Sequence, residues 1–394
     1  MMISAKPATY SIVLSGIAQI IAWGGSFYLL AVLAQPIIRD TGWPQAWVYG
    51  ALSLALLVSG LLAPLCGRII AAGAGRQLLA CSGLTIAAGL IIIALSHSLW
   101  LFLLAWLVIG VGMAMGLYDA LFAVLGTIYS AVARRAITGI TLISGFCTTL
   151  VWPGLAALIA LFGWRETCLI WAAMLIVCIW PMYRMALPAT AALTPGYKRQ
   201  SLSPGDSALA PSLFWLLCAI FTLASVIMTA ISVQLIVLLQ ASGYALTTAL
   251  ALSAIPGPCQ VASRMVDMLF SRSHPIWTTF FSVGLVALGL LLLTLLPQSA
   301  ALAMVLYGAG NGLRAIVRGT LPLAMVSAQD YAVVMGRMAR PALIGQALTP
   351  LVTASVYASF GARATLWMLL ALSLFNLLLV AALKWQLPAG GSAE

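Results

Sequence analysis

The chain has 394 residues, 63% of them hydrophobic and only 6% charged, with a mean hydropathy of +1.13. A soluble domain carries about 25% charged residues, so this composition leaves no room for a soluble domain and places the chain in a lipid bilayer. The formal charge of +11 does not indicate nucleic acid either, because Lys and Arg fall in pairs between apolar runs and form no basic cluster.

A membrane-spanning helix needs roughly 20 apolar residues, and the hydropathy pattern predicts twelve of them. The first covers Ser11 to Gln35 and reads as a retained helix, not a signal peptide. An outer loop, Arg39-Asp40-Thr41-Gly42-Trp43, leads to the second (Ala46 to Ala71), and a short basic turn opens the third (Gln77 to Leu95). The fourth is long, Leu99 to Tyr129, and delivers Arg134 and Arg135 to the cytosolic side. The fifth (Ile137 to Leu161) ends at Gly163-Trp164-Arg165, and the sixth (Thr167 to Leu187) closes the first half.

Residues 188–211, with prolines among Gly, Ser, Lys and Arg, read as a flexible cytosolic linker. The second half is expected to repeat the plan, with spans at about 212–240, 245–270, 275–296, 299–325, 332–359 and 364–387. The repeat is visible in the residues: Arg68 and Arg76 match Arg264 and Arg272 at an offset of 196. Gly110 and Gly112 match Gly308 and Gly310, and Gly163-Trp164-Arg165 matches Gly361-Ala362-Arg363, at an offset of 198. The expected fold is all-α, with twelve transmembrane helices in two pseudo-symmetric six-helix bundles. The first bundle is residues 1–187, the linker 188–211 and the second bundle 212–394.

Lys6, Arg68, Arg76, Arg134, Arg135, Arg184, Lys198, Arg199, Arg264, Arg272, Arg337, Arg340 and Lys384 all fall on one side of this plan, and Arg39, Arg165 and Arg363 on the other. The positive-inside rule therefore places both termini in the cytosol. The seven cysteines lie in or beside apolar segments without a CxxC or a nearby His, so they read as packing residues and not as disulfides or metal ligands. No cofactor or metal is expected. His97 and His274 read as surface residues.

The segment Ala303 to Met325 carries the chemistry. Tyr307, Asn311, Arg314 and Arg318 recur at i, i+4, i+7 and i+11, on one helix face. Arg314 falls about 14 residues into its span, roughly 21 Å from the outer edge at 1.5 Å per residue. An ionised side chain at that depth costs about 2.5–3.5 kcal/mol or more, so the stripe is expected to face water or a partner. Guanidinium suits a carboxylate through paired hydrogen bonds, which makes Arg314 the candidate anion-binding residue; the bland alternative is an arginine snorkelling to the cytosolic surface. That alternative weighs more for Arg318, one turn further in, which could otherwise hold a cytosolic gate. Asp119 is the one acid placed deep within a predicted span, in Gly116-Leu117-Tyr118-Asp119, whose frame resembles Gly312-Leu313-Arg314-Ala315; Asp267 falls at the cytosolic end of its own. It is the candidate proton carrier, or else half of a permanent ion pair. Gln19, Trp23 and Ser26 share a face of the first span, and Thr222, Ser225, Thr229 and Ser232 one of the seventh. Tyr118, Trp152, Gln346 and Asn376 are weaker candidates. The Gly110/Gly112 and Gly308/Gly310 pairs read as close helix packing.

Three motifs together resemble the major facilitator superfamily along the whole chain. Gly67-Arg68 to Gly75-Arg76 is similar to its G-x-x-x-D-R-x-G-R-R loop, with Ala71 where the loop has Asp and Asp267 in the second-half copy. Gly163-Trp164-Arg165 matches the common GWR after the fifth helix. The Arg39–Trp43 loop resembles the TGWS-type loop of the monocarboxylate and oxalate branch. The resemblance implies a monomeric carrier with a cavity lined by the first, fourth, seventh and tenth helices, in a bacterial inner membrane. It also implies a cytosolic latch in which Arg68, Arg76, Arg264, Asp267 and Arg272 take part.

The expected function is secondary active transport of a small organic solute, an anion by the Arg314 argument, through alternating access coupled to protons. Substrate contacts are expected from Arg314, Asn311, Tyr307, Tyr118, Trp23 and Gln19, proton coupling from Asp119, and gating from Arg318 and the latch residues. The alternative is a proton-driven multidrug or metabolite efflux pump with Trp and Met on its cavity walls. An enzyme is disfavoured, since the chain has no close carboxylate pair, ligand cluster or phosphate-binding loop with Lys.

Overall fold

The computed structural model describes residues 7–188, 209–269 and 274–386. Arg272 and nearly all of the 188–211 segment therefore lie outside the described residues. Among the described residues the chain is helical throughout, in the order α1 Thr9–Gly24, α2 Leu30–Thr41, α3 Gln45–Ile69, α4 Gly75–Ala94, α5 Leu99–Gly116, α6 Tyr118–Tyr129, α7 Ala133–Ser144, α8 Cys147–Phe162 and α9 Trp164–Ala186. Then follow α10 Pro211–Ala241, α11 Leu246–Ala254, α12 Pro256–Leu269, α13 Pro275–Leu295, α14 Ala300–Met325 and α15 Ala328–Gln386. Among these residues eight helical runs are long and apolar enough to cross a membrane. In lipid the backbone must satisfy itself, which is why the polar ladder is closed inside helices.

The difference from the expected count has a local cause at each place. Two predicted pairs run on as single helical stretches, Gln45–Ala94 and Ala328–Gln386, interrupted only at Gly73 (φ 93°) and Gly361 (φ 77°). Positive φ at these two positions is a conformation that glycine adopts without steric cost. Other predicted spans are split. The first divides into α1 and α2 after Gly24, where a Cβ would lie 2.6 Å from the Trp171 ring; Trp171 Nε1 donates to the Ile21 carbonyl at 3.1 Å. The eighth divides at Pro256, which lacks a donor for the helix ladder and clashes with the carbonyl four residues back. The fourth divides at Leu117, an extended residue (ψ −175°) between α5 and α6.

The chain forms two compact units, residues 1–208 with 326–347, and residues 209–325 with 348–394. In the first unit α4 packs on α5 and α9, α3 on α5, and α1 on α7 and α9. Gly110 and Gly112 make the contact of α5 with its neighbours close: a Cβ on Gly110 would lie 2.5 Å from the Ala55 carbonyl oxygen, and one on Gly112 2.5 Å from Ile86. At the end of α3, Gly67 meets the first turns of α15, with a Cβ there only 2.5 Å from the Ala332 oxygen and one on Gly336 2.5 Å from the Ala63 oxygen. The GWR motif ties neighbouring helix ends together. Arg165 Nη1 donates to the Ala94 and Ser96 carbonyls at 2.7 Å each, and Trp164 Nε1 donates to Asp40 Oδ2 at 3.0 Å.

In the second unit α14 is central, packed by α13, α12, α10 and α11. Gly308 and Gly312 let α12 approach, with a Cβ on Gly308 2.6 Å from Pro256 and one on Gly312 against Ser263, while Gly310 admits α13 at 2.5 Å from the Ser282 carbonyl oxygen. Glycines on two sides of one helix thus fix α14 between two neighbours, through van der Waals packing instead of a hydrophobic driving force that lipid cannot supply.

Candidate functional site

The stripe on α14 sits where the glycine contacts hold that helix most firmly. Tyr307 and Asn311 are buried and Arg314 is half-buried. Arg314 Nε donates to Asn311 Oδ1 at 2.8 Å, three residues back on the same helix, and its Nη2 donates to Met228 Sδ of α10 at 2.7 Å. The Tyr307 hydroxyl reaches the Met228 carbonyl at 3.5 Å. One residue of α10 therefore meets two members of the stripe, Arg314 through its side chain and Tyr307 through its backbone carbonyl.

These residues line a pocket inside the second unit, closed by Ser282 of α13 and by Ser373 and Asn376 of α15. It has room of ≈ 20 Å³ for a water-sized group. Arg314 is the only charged residue among the described residues that line it. Two of the hydroxyl donors are committed to backbone: Ser282 Oγ donates to the Gly310 carbonyl at 2.7 Å and Ser373 Oγ to the Leu370 carbonyl at 2.8 Å. Of the predicted stripe, Tyr307, Asn311 and Arg314 are brought together; Arg318 is half-buried one turn on and does not line the pocket.

The first unit contains a second constellation. Its centre is Gln19, fully buried on α1. Its Nε2 donates to the Gly116 carbonyl at 2.7 Å and to the Tyr183 hydroxyl at 2.9 Å, while its Oε1 accepts from Trp23 Nε1 at 2.9 Å. The carbonyl it satisfies lies at the break between α5 and α6. Around Trp23 the rings of Phe27, Tyr28 and Tyr118 stand at centroid distances of 5.3, 5.6 and 4.9 Å. Tyr28 reaches Trp152 of α8 at 6.2 Å, and the Tyr118 hydroxyl shares a 2.5 Å hydrogen bond with Ser144 Oγ. Aromatic pairs in such tilted and edge-on arrangements attract through their ring quadrupoles.

Asp119 stands in the first turn of α6, at the end where unsatisfied N–H groups favour negative charge. Its carboxylate is close enough to the fully buried Tyr331 of α15 to act on that hydroxyl electrostatically.

The expected latch residues divide by environment. Arg68 is exposed beside Gly67. Arg76 Nη1 donates to the Leu187 carbonyl at 3.4 Å. Arg264 is buried and donates from Nε to the Gly312 carbonyl at 3.2 Å, and Asp267 accepts from Thr278 Oγ1 at 3.0 Å. Asn376, a weaker candidate by spacing alone, also lines the pocket; its signal in the sequence is the pairing with Ser373 three residues earlier, on one face of an otherwise apolar last span. Among the described residues no group of three or more His, Cys, Asp or Glu could hold a metal ion.

Comparisons with known proteins bear on the whole chain. A family model described as Major Facilitator Superfamily matches residues 15–339. No curated protein matches the chain. Among solved structures, the crystal structure of the human organic anion transporter MFSD10 (TETRAN) is similar with a TM-score of 0.71. That likeness covers 94% of this chain and 98% of the other at 17% sequence identity, and it is a likeness of fold.

Proposed function

The chain belongs to the major facilitator superfamily and is a multi-pass membrane transporter, not an enzyme; from that premise we propose that it carries a small organic anion by proton-coupled alternating access. The observation that carries this reading is Arg314 lining a pocket midway along a 26-residue apolar helix. A guanidinium there binds a carboxylate through two parallel hydrogen bonds. Asn311 orients Nε, and the thioether on Nη2 is a weak acceptor that a carboxylate displaces at small cost. Tyr307 completes the substrate contacts from α14. Trp23 and Tyr118, in the aromatic cluster of the first unit, and Gln19, which holds the Trp23 indole in place, are further proposed substrate contacts. The Arg39–Trp43 loop, like that of the monocarboxylate branch, points the same way.

Asp119 is the proposed proton carrier, since an acid in a span can take up charge and release it without a cofactor. Arg318, Arg68, Arg76, Arg264, Asp267 and Arg272 are the proposed gate. The membrane is a bacterial inner membrane with both termini cytosolic. Twelve crossings in two six-helix bundles, 1–187 and 212–394, joined by the 188–211 linker, suit the helix lengths. The 50-residue and 59-residue runs are each more than twice the roughly 20 residues one crossing needs.

Uptake into proteoliposomes tests the reading. Radiolabelled carboxylates should be taken up by the wild type, faster with an inward proton gradient. Arg314→Ala should abolish uptake, and Asp119→Asn should abolish the gradient's effect while leaving solute exchange. Gradient stimulation that survives in Asp119→Asn removes the proton role. A second reading, efflux of aromatic compounds, draws on the ring cluster around Trp23. Transport of neutral or cationic aromatic compounds that Arg314→Ala leaves intact would establish it in place of anion transport.

A further inference from the structure

The pocket of the second unit is lined by a methionine as well as by a guanidinium. Met228 of α10 and Arg314 of α14 both line it. Met228 is half-buried, and its Sδ accepts from Arg314 Nη2 at 2.7 Å. A thioether is a weak acceptor, so a charged donor is set here against a poor partner. Met115 in the first unit shows the contrast, since its sulfur accepts from a neutral hydroxyl, Thr85 Oγ1, at 3.8 Å. The room in the Arg314 pocket is ≈ 20 Å³, about the size of one water, and that is enough for a single oxygen atom added to the sulfur.

We infer that Met228 is an oxidation site, whose sulfoxide oxygen takes the Arg314 Nη2 hydrogen bond over from the sulfur and closes the site reversibly. The oxidant is a peroxide. A sulfur lone pair attacks one peroxide oxygen, the O–O bond breaks and an S–O bond forms. The departing hydroxide takes the proton of the transferred oxygen and leaves as water, so sulfur is oxidised by two electrons and peroxide reduced by two. Oxidation of a packed methionine ordinarily loosens its surroundings, because a polar oxygen is placed among apolar atoms. Here the new oxygen meets a guanidinium already in contact with the sulfur, and a weak hydrogen bond becomes a charge-assisted one. The effect on stability should therefore have the opposite sign. The effect on transport rests on the anion reading above, because it works by engaging Arg314; the modification and its effect on stability do not.

Full-length protein in detergent is treated with hydrogen peroxide, and each methionine is followed by peptide mass spectrometry. Met228 should gain one oxygen, as should the exposed Met185, Met265 and Met268. The unfolding midpoint of the wild type should then rise by about 2 °C or more, and that of treated Met228→Leu should not. In proteoliposomes the treatment should lower carboxylate uptake about tenfold or more, the factor that one hydrogen bond to a charged group carries. The two methionine sulfoxide reductases, one for each epimer, should restore uptake with dithiothreitol. Dithiothreitol alone, which reverses cysteine disulfides and sulfenic acids, should not. Met228→Leu, whatever its starting rate, should lose no further uptake on treatment. A Met228 left unmodified while the exposed methionines oxidise overturns the inference. So does a modified Met228 with an unmoved or lowered midpoint, or with undiminished uptake. A wild type that carries no carboxylate before treatment overturns the anion reading and the closing of the site with it; the mass and midpoint results then decide the oxidation site alone. The deciding comparisons are made on the wild type before and after treatment, so a variant that fails to fold does not remove the test.

Discussion

The fourth predicted span and the tenth begin alike and end in opposite ways. Both open on glycines at alternate positions, Gly110 and Gly112 in α5, Gly308 and Gly310 in α14, and both use them to bring neighbours within backbone contact. Past that point the first-unit helix breaks at Leu117 and the freed Gly116 carbonyl is closed by a neutral amide, Gln19. The second-unit helix continues without a break and presents a guanidinium to a pocket. The first helix has its freed carbonyl closed from within its own unit, and the second carries Arg314 to the lining of a pocket. On the proposed function, two helices with the same glycine spacing divide their labour, the first ending in aromatic support and the second in polar recognition.

The largest expected effect comes from removing that recognition. Arg314→Ala should cost about 2–5 kcal/mol of substrate binding, a drop of roughly thirtyfold or more in uptake at low substrate, with thermal unfolding little changed. Placing a side chain where the helices touch should act on the fold instead. Gly310→Leu would drive its Cβ against the Ser282 oxygen and lower stability by about 1–3 kcal/mol or more, seen as lost monodisperse protein or an earlier unfolding midpoint. Gln19→Leu leaves the Gly116 carbonyl and Tyr183 hydroxyl without their shared donor, at about 1–3 kcal/mol of stability. If Gln19→Leu instead raises KM at unchanged stability, the division between supporting and recognising halves is wrong. The smallest effect belongs to Tyr118→Phe, which removes the Ser144 hydrogen bond for about 0.5–1.5 kcal/mol while keeping the ring contacts.

Much of this arrangement was readable from residue spacing, and the unreadable parts have physical reasons. A permanent charge in an apolar run can be detected from sequence because its cost in lipid is high, so Tyr307, Asn311 and Arg314 stood out and do share one pocket. Membership of the transporter superfamily followed from motifs at turns, where sequence requirements are local. The break at Leu117 was hidden because apolar periodicity runs through it unaltered; what permits it is a side chain 97 residues away in sequence. Asn376 was undervalued for a related reason. A lone amide in a span is usually satisfied by a neighbouring helix, and only coordinates reveal that its acceptor is not. The split at Gly24 depends on Trp171 lying opposite, again a tertiary matter, whereas the one at Pro256 is local to the proline.

Where Gly67 and Gly336 face each other, peptide meets peptide with nothing interdigitated between. Adhesion across such a seam rests on Cα–H···O contacts worth about 0.5–1 kcal/mol apiece. A joint of that kind has smooth faces: parting it asks no side chain to change rotamer and strands no buried charge.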